Sequence, residues 1–174
     1  MPDMKKLMVL LCALTLITLS PARAQESYTA YCGATPLFSL SYDDATYSLD
    51  TDSYLGTSGG GHTWLGMFYS STYTIDCAAD RYSDLALSDD SGSALSQLSA
   101  YLTSALSRDG GEMAETCRCG GMSFVIFSLG DGQSYYAAAP VQGYAVSFEI
   151  YNMRGGADEG ALSTLKGFLK GISN

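Results

Sequence analysis

The sequence predicts an α+β domain: a mainly antiparallel sheet of about six to seven strands sandwiched between helices. Three observations carry this. Several short segments alternate apolar and polar residues, the period of a half-buried strand. Two segments instead space their apolar residues three and four apart, the stripe of an amphipathic helix. Most strand segments are joined by turns too short for a crossover, which makes neighbours antiparallel.

Residues 1–24 stand apart from that domain. Lys5 and Lys6 supply a positive start, and Leu7 to Leu19 is apolar apart from Thr15 and Thr18. Ser20-Pro21 ends the run, and Ala22-Arg23-Ala24 presents small residues at the two positions a signal peptidase reads. The run is shorter than the ~20 residues of a bilayer span. Cys12 lies inside it, not at its end as in a lipoprotein. A cleaved signal peptide is therefore expected, and with it a secreted or periplasmic product that is not membrane-embedded.

Residues 25–36 read as a flexible N-terminal segment and 37–174 as a single domain. Phe38-Ser-Leu40-Ser-Tyr42 alternates, Asp43-Asp44 turns the chain, and Tyr47-Ser-Leu49 alternates again, which reads as a hairpin. A loop with Gly59-Gly60-Gly61 leads to an aromatic-rich strand, Trp64 to Tyr69, and then to Tyr73-Thr-Ile75-Asp-Cys77. Residues 78–91 read as an acidic surface loop. Leu95, Leu98, Leu102 and Leu106 form a helical stripe that Asp89, Asp90 or Ser91 would cap and Asp109-Gly110-Gly111 would stop.

Met122 to Leu129 is apolar on nearly both faces, which predicts a covered strand near the sheet centre. Gly130-Asp131-Gly132 and Gln142-Gly143 are turns, and Tyr144-Ala-Val146-Ser-Phe148-Glu-Ile150 is the cleanest alternation in the chain. Asp158 is a good N-cap for a last helix through Leu162, Leu165, Leu169 and Ile172. Its Gly160 and Gly167 each weaken it by about 1 kcal/mol against alanine.

The pattern Phe38-Ser-Leu-Ser-Tyr-Asp43 with Tyr47-Ser-Leu49, and the later Gly143-Tyr-Ala-Val-Ser-Phe148 before Phe168-Leu-Lys-Gly-Ile172, resembles PsbP-like domains. That family includes an extrinsic photosystem II subunit, a Ran-binding factor and bacterial envelope lipoproteins. The resemblance implies an antiparallel sheet between helices used for binding and not catalysis. Four cysteines beyond the leader and few Lys or Arg depart from the family's pattern, and no functional residue is carried over.

The net charge is −9. The leader holds Lys5, Lys6 and Arg23 against Asp3, so its removal makes the balance two units more negative. Such a surface repels nucleic acid and anionic headgroups, both of which are bound through Lys and Arg. It reads first as a solvated acidic surface that favours solubility, and it would suit cationic partners or divalent ions.

Cys32, Cys77, Cys117 and Cys119 remain after cleavage, and an even number in an oxidising compartment suggests two disulfides. Cys117 and Cys119 point the same way in an extended chain and are too close for an easy bridge to each other. The expected partners are Cys32 and Cys77. Zinc held by the single histidine, His62, with Cys77, Cys117 and Cys119 is the competing reading, although Cys-x-Cys is compact for zinc. A redox pair would more usually be Cys-x-x-Cys.

Serine or cysteine hydrolysis needs a nucleophile beside His62, and no Gly-x-Ser-x-Gly elbow is present. Asp43-Asp44, Asp89-Asp90 and Asp158-Glu159 sit where turns and caps want acids. Asp76, Asp80 and Asp84 recur every four residues, and calcium in Asp80–Asp90 lacks the EF-hand spacing. With 13 tyrosines and one tryptophan, surface recognition at Tyr54, His62 and Trp64 is weighed against the packing of such rings at half-buried strand positions. The expectation is a non-catalytic binding or accessory domain with no cofactor, facing another protein or envelope component. The alternative is an envelope hydrolase or metal-dependent enzyme centred on His62 and acidic loops.

Overall fold

The computed structural model describes residues 24–52, 61–88 and 92–173. Residues 1–23 of the leader, Tyr54, and the capping candidates Asp89, Asp90 and Ser91 lie outside the described residues. The chain is α+β and mostly antiparallel. Its strands are β1 (Gln25–Cys32), β2 (Thr35–Asp43), β3 (Ser48–Asp50), β4 (His62–Tyr69) and β5 (Tyr73–Arg81), then β6 (Glu112–Cys119), β7 (Met122–Leu129), β8 (Ser134–Val141), β9 (Tyr144–Asn152) and β10 (Ile172–Ser173). Helix α1 (Ala94–Leu106) separates β5 from β6, and α2 (Glu159–Leu169) separates β9 from β10. Seven strands form one sheet in the order β3-β4-β5-β9-β8-β7-β6, and β1-β2-β10 form a second.

Strand alternation gives the large sheet two buried faces of different extent. Ile75, Cys77, Val146, Phe148, Phe124 and Ile126 face one core, where Phe38 and Leu40 of β2 and Leu165, Phe168 and Leu169 of α2 close over them. Val125, Phe127, Ala138 and Ala145 point the other way and meet Leu98 and Leu102 of α1. Each fully buried Leu or Phe contributes about 1.5–3 kcal/mol by leaving water.

Five expectations change. Ile172, expected on the stripe of the last helix, lies past its end at Leu169 and pairs with Leu40 in β10. Residues 25–36 are not a loose lead-in: β1 pairs with β2 from Gln25↔Asp43 to Cys32↔Thr35, and Ala30 is fully buried. The segments 38–42 and 47–49 are not a hairpin, because β2 pairs with β1 and β10 while β3 pairs with β4. Asp43 makes the corner between sheets: its carboxylate accepts from Ala45 N at 3.1 Å and Thr46 Oγ1 at 2.8 Å. Residues 78–81, expected in a loop, complete β5. Finally, β9 is the central strand and β7 lies next to the edge. β7 is apolar on both faces because α1 covers one and the α2 core covers the other. Coverage of the faces, not position in the sheet, sets its composition.

The β8–β9 turn at Gln142-Gly143 has φ 48° and 81°, the left-handed pair of a two-residue hairpin. The last helix begins where Asp158 places it. Its carboxylate accepts from Gly160 N, Tyr73 Oη and Asn152 Nδ2, each at 2.8 Å. The Asn152 and Tyr73 hydrogen bonds, with that from Gly160, hold this carboxyl below the usual carboxylate range. The stabilisation is therefore full above the ordinary Asp range and is lost as pH falls through the lowered folded value. Asp158→Ala should lower Tm by several degrees at neutral pH. Scanning calorimetry should show the gap to the parent chain closing below about pH 4.

Candidate functional site

The open part of the large sheet's α1 face holds the site. Helix α1 packs on β7 and β8, and over β4, β5 and β9 the same face is a cavity of about 430 Å³. On β5, Asp76, Ala78 and Asp80 follow every second residue and so share this face. Register brings Glu149 and Ser147 of β9 opposite Asp76 and Ala78, and Tyr136 of β8 opposite Glu149.

His62 and Trp64 of β4 complete the wall through a β-bulge. They lie opposite Asp80 and Ala78, but the register shifts between Trp64 and Gly66, leaving Leu65 as the extra residue. Without that insertion Trp64 and the core residue Phe68, four positions apart, would share a face. With it, Phe68 is fully buried in the core and Trp64 lines the groove. The Tyr28 hydroxyl donates to the carbonyl of Leu65, pinning the bulge from the smaller sheet.

The groove is acidic, and among the described residues its lining includes no Lys or Arg. His62 Nδ1 donates to Asp80 Oδ1 at 2.8 Å, which fixes the ring and leaves Nε2 as its second nitrogen. Ser134 Oγ donates to Glu149 Oε1 at 3.0 Å. Burial raises the Asp76 carboxyl above the usual range, the facing Glu149 charge raises it further, and a hydrogen bond to Tyr151 opposes both. Asp76 Oδ1 is buried with no hydrogen-bond partner among the described residues. Burial also pushes the Tyr136 hydroxyl to about 12, against the effect of its hydrogen bond to Ser147. Asp80, Glu149 and Tyr101 add smaller upward contributions. Negative field, two large rings and a half-enclosed shape together suit an organic cation, which gains from carboxylates and from ring faces alike.

Of the three residues weighed for recognition, the structure brings His62 and Trp64 together, and Tyr54 lies outside the described residues. The zinc set is not assembled. Cys77 faces the core on the sheet side opposite the groove, while Cys117 and Cys119 lie on β6 at the far edge. Among the described residues no group of three His, Cys, Asp or Glu side chains is placed to hold a metal ion. The expected bridges from Cys117 and Cys119 to Cys77 are also at odds with the fold. Strands β9, β8 and β7 separate β5 from β6, about 19 Å at ordinary strand spacing. Cys32 sits by β4, its Sγ 3.5 Å from Thr63 Oγ1. Cys32, Cys77, Cys117 and Cys119 are free thiols here.

Asp76, Ser147, Glu149 and Tyr136 escape single-residue reading. The available signal was the Asp76–Ala78–Asp80 alternation, legible as a strand with an acidic face once a period of two replaces the period of four. A scan against protein-family models finds no match, and no curated protein matches the sequence. Among the described residues no helix is long and apolar enough to cross a membrane.

Proposed function

We propose that the chain is an exported, non-catalytic binding domain that recognises a cationic group of a partner protein in the groove on β4, β5, β9 and β8. The observation that supports this is the convergence of Asp76, Asp80 and Glu149 with Trp64 and Tyr136 around one cavity that, among the described residues, no Lys or Arg lines. Its volume is of the order that takes a Lys or Arg side chain or a small amine. The PsbP-like resemblance belongs to the same proposal. Helix α1 on one face of the large sheet, and α2 with the small sheet on the other, support a sheet between two covering layers.

Calorimetric titration with a short Lys/Arg-rich peptide, and with an acidic peptide as control, tests the reading. The basic peptide should bind and the acidic one should not, with affinity falling as salt rises. Glu149→Gln and Asp76→Asn should each weaken binding by about 10–100-fold, the worth of one hydrogen bond to a charged group. The Asp76 carboxyl is raised in the free protein, so it gains its charge late as pH rises. A cation favours the ionised form, and affinity should therefore climb with pH through the carboxylate range. Equal binding by parent and variants would remove the groove as the site.

The His62–Asp80 pair favours one second reading, because a carboxylate-oriented imidazole is what a general base requires. Turnover of any hydrolase substrate that disappears in His62→Ala would replace the binding proposal with that one.

A further inference from the structure

A second cluster of reactive side chains lies on β6, away from the groove. Glu115, Cys117 and Cys119 occupy alternate positions and share one face of the strand. Lys166 of α2 reaches across to that face and pairs with Glu115 Oε1 at 2.6 Å. Cys117 Sγ lies 3.5 Å from Cys119 Sγ. Cys119 is buried and Cys117 half-buried. Strand β6 ends the sheet, with β7 as its one neighbour there.

We propose that Cys117 and Cys119 are a reversible dithiol–disulfide couple, a redox modification site separate from the groove. Two residues of a strand rise about 6.4–6.8 Å, the upper end of the Cα separations that disulfides span. Closure therefore needs a small buckle at Arg118 and leaves a strained bond. An interior strand resists such a buckle from both sides, and β6 resists from one. The residue that must move, Arg118, is exposed and pairs with Ser123 near the hairpin end. Strained disulfides are the labile, exchangeable ones, in contrast to structural staples.

The oxidant is a small-molecule disulfide such as glutathione disulfide. The Cys117 thiolate attacks one of its sulfurs, breaking that S–S bond and releasing one glutathione thiolate. Cys119, deprotonated, then attacks the Cys117 sulfur of the mixed disulfide and releases the second glutathione. Two protein thiols become one disulfide, one glutathione disulfide becomes two glutathione thiols, and the two protons pass to the released sulfurs. Burial, the Cys119 hydrogen bond and the charges of Cys119 and Glu115 hold the Cys117 thiol up at about 12, with Lys166 opposing them. Thiolate is the attacking form, so closure should accelerate about tenfold per pH unit between pH 7 and 9.

The test is equilibration of the purified, reduced chain in glutathione disulfide, followed by alkylation and peptide mapping. The peptide carrying both Cys117 and Cys119 should be lighter by two hydrogens than its reduced form, and excess reduced glutathione should restore both thiols. Cys117→Ser and Cys119→Ser should each abolish closure, while Cys32→Ser retains it. The parent map stands whether or not a variant folds. Four outcomes overturn the proposal: two thiols that stay alkylatable, a bond to Cys32 or Cys77, arrest at a glutathione adduct, or a bond that reduced glutathione cannot reopen.

Discussion

Phe148→Ala is expected to cost about 3–5 kcal/mol of folding stability, the range for deleting a buried aromatic ring. Phe148 is fully buried on β9, the middle strand of the seven. Its ring meets Phe38 of β2 at 5.4 Å, Phe124 of β7 at 6.1 Å and Phe168 of α2 at 6.3 Å between centroids. One side chain thus joins the small sheet, the large sheet and the closing helix. A cavity there has no single neighbour able to collapse into it, because each bordering ring is fixed by a different element. Domains of this size are stable by about 5–15 kcal/mol, so the loss takes a fifth or more of the total. Urea denaturation should show a lower midpoint with unchanged slope, and Phe148→Leu should cost less than about 1.5 kcal/mol. A loss near 1 kcal/mol from the alanine variant would mean that the three layers are not joined through this ring.

Local chemistry was legible in the sequence, and partnership between strands was not. Asp158 could be read as a cap because capping involves only the next few residues, and the structure shows its carboxylate on Gly160 N. Gln142-Gly143 could be read as a turn because two left-handed residues are a local demand. By contrast, Phe38–Tyr42 and Tyr47–Leu49 both alternate correctly yet enter different sheets. Alternation states that a strand has one buried face and says nothing of which neighbour it pairs with. Strand β6 was missed for a related reason. An edge strand carries polar residues outward, and its inward set of Glu115, Cys117 and Cys119 does not read as apolar.

The groove shows the same limit more sharply. His62 and Trp64 attract notice as the single residues of their kinds. Their meeting with Asp76, Glu149 and Tyr136 depends on the order β4-β5-β9-β8 and on one inserted residue at Leu65. A bulge reverses the facing of everything before it, and Gly66, next to the inserted Leu65, is the local mark of it in the run Trp64–Tyr69. The candidate site is therefore a property of register, which only the assembled sheet defines.

Gly120→Ala and Gly121→Ala should differ widely although the two residues are neighbours in the β6–β7 turn. Both are left-handed, at φ 55° and 83°, so each substitution incurs the left-handed cost of an L side chain, about 1–2 kcal/mol. For Gly121 that is the whole expected effect, because a Cβ there meets no atom within 4 Å. At Gly120 a Cβ would lie 2.0 Å from the carbonyl oxygen of Ile172 and 2.8 Å from that of Leu169. Both are backbone atoms, so no side-chain rotation relieves the contact. Either the turn opens or β10 lifts from β2, where Ile172 pairs with Leu40. Adding an overpacking cost of about 1–3 kcal/mol brings the Gly120→Ala loss to roughly 2–5 kcal/mol. Paired urea titrations measure the difference directly, and amide exchange at Leu40 shows whether β10 is what yields. Equal losses at the two positions would mean that the turn, not its seat against the end of α2, accounts for the glycine at 120.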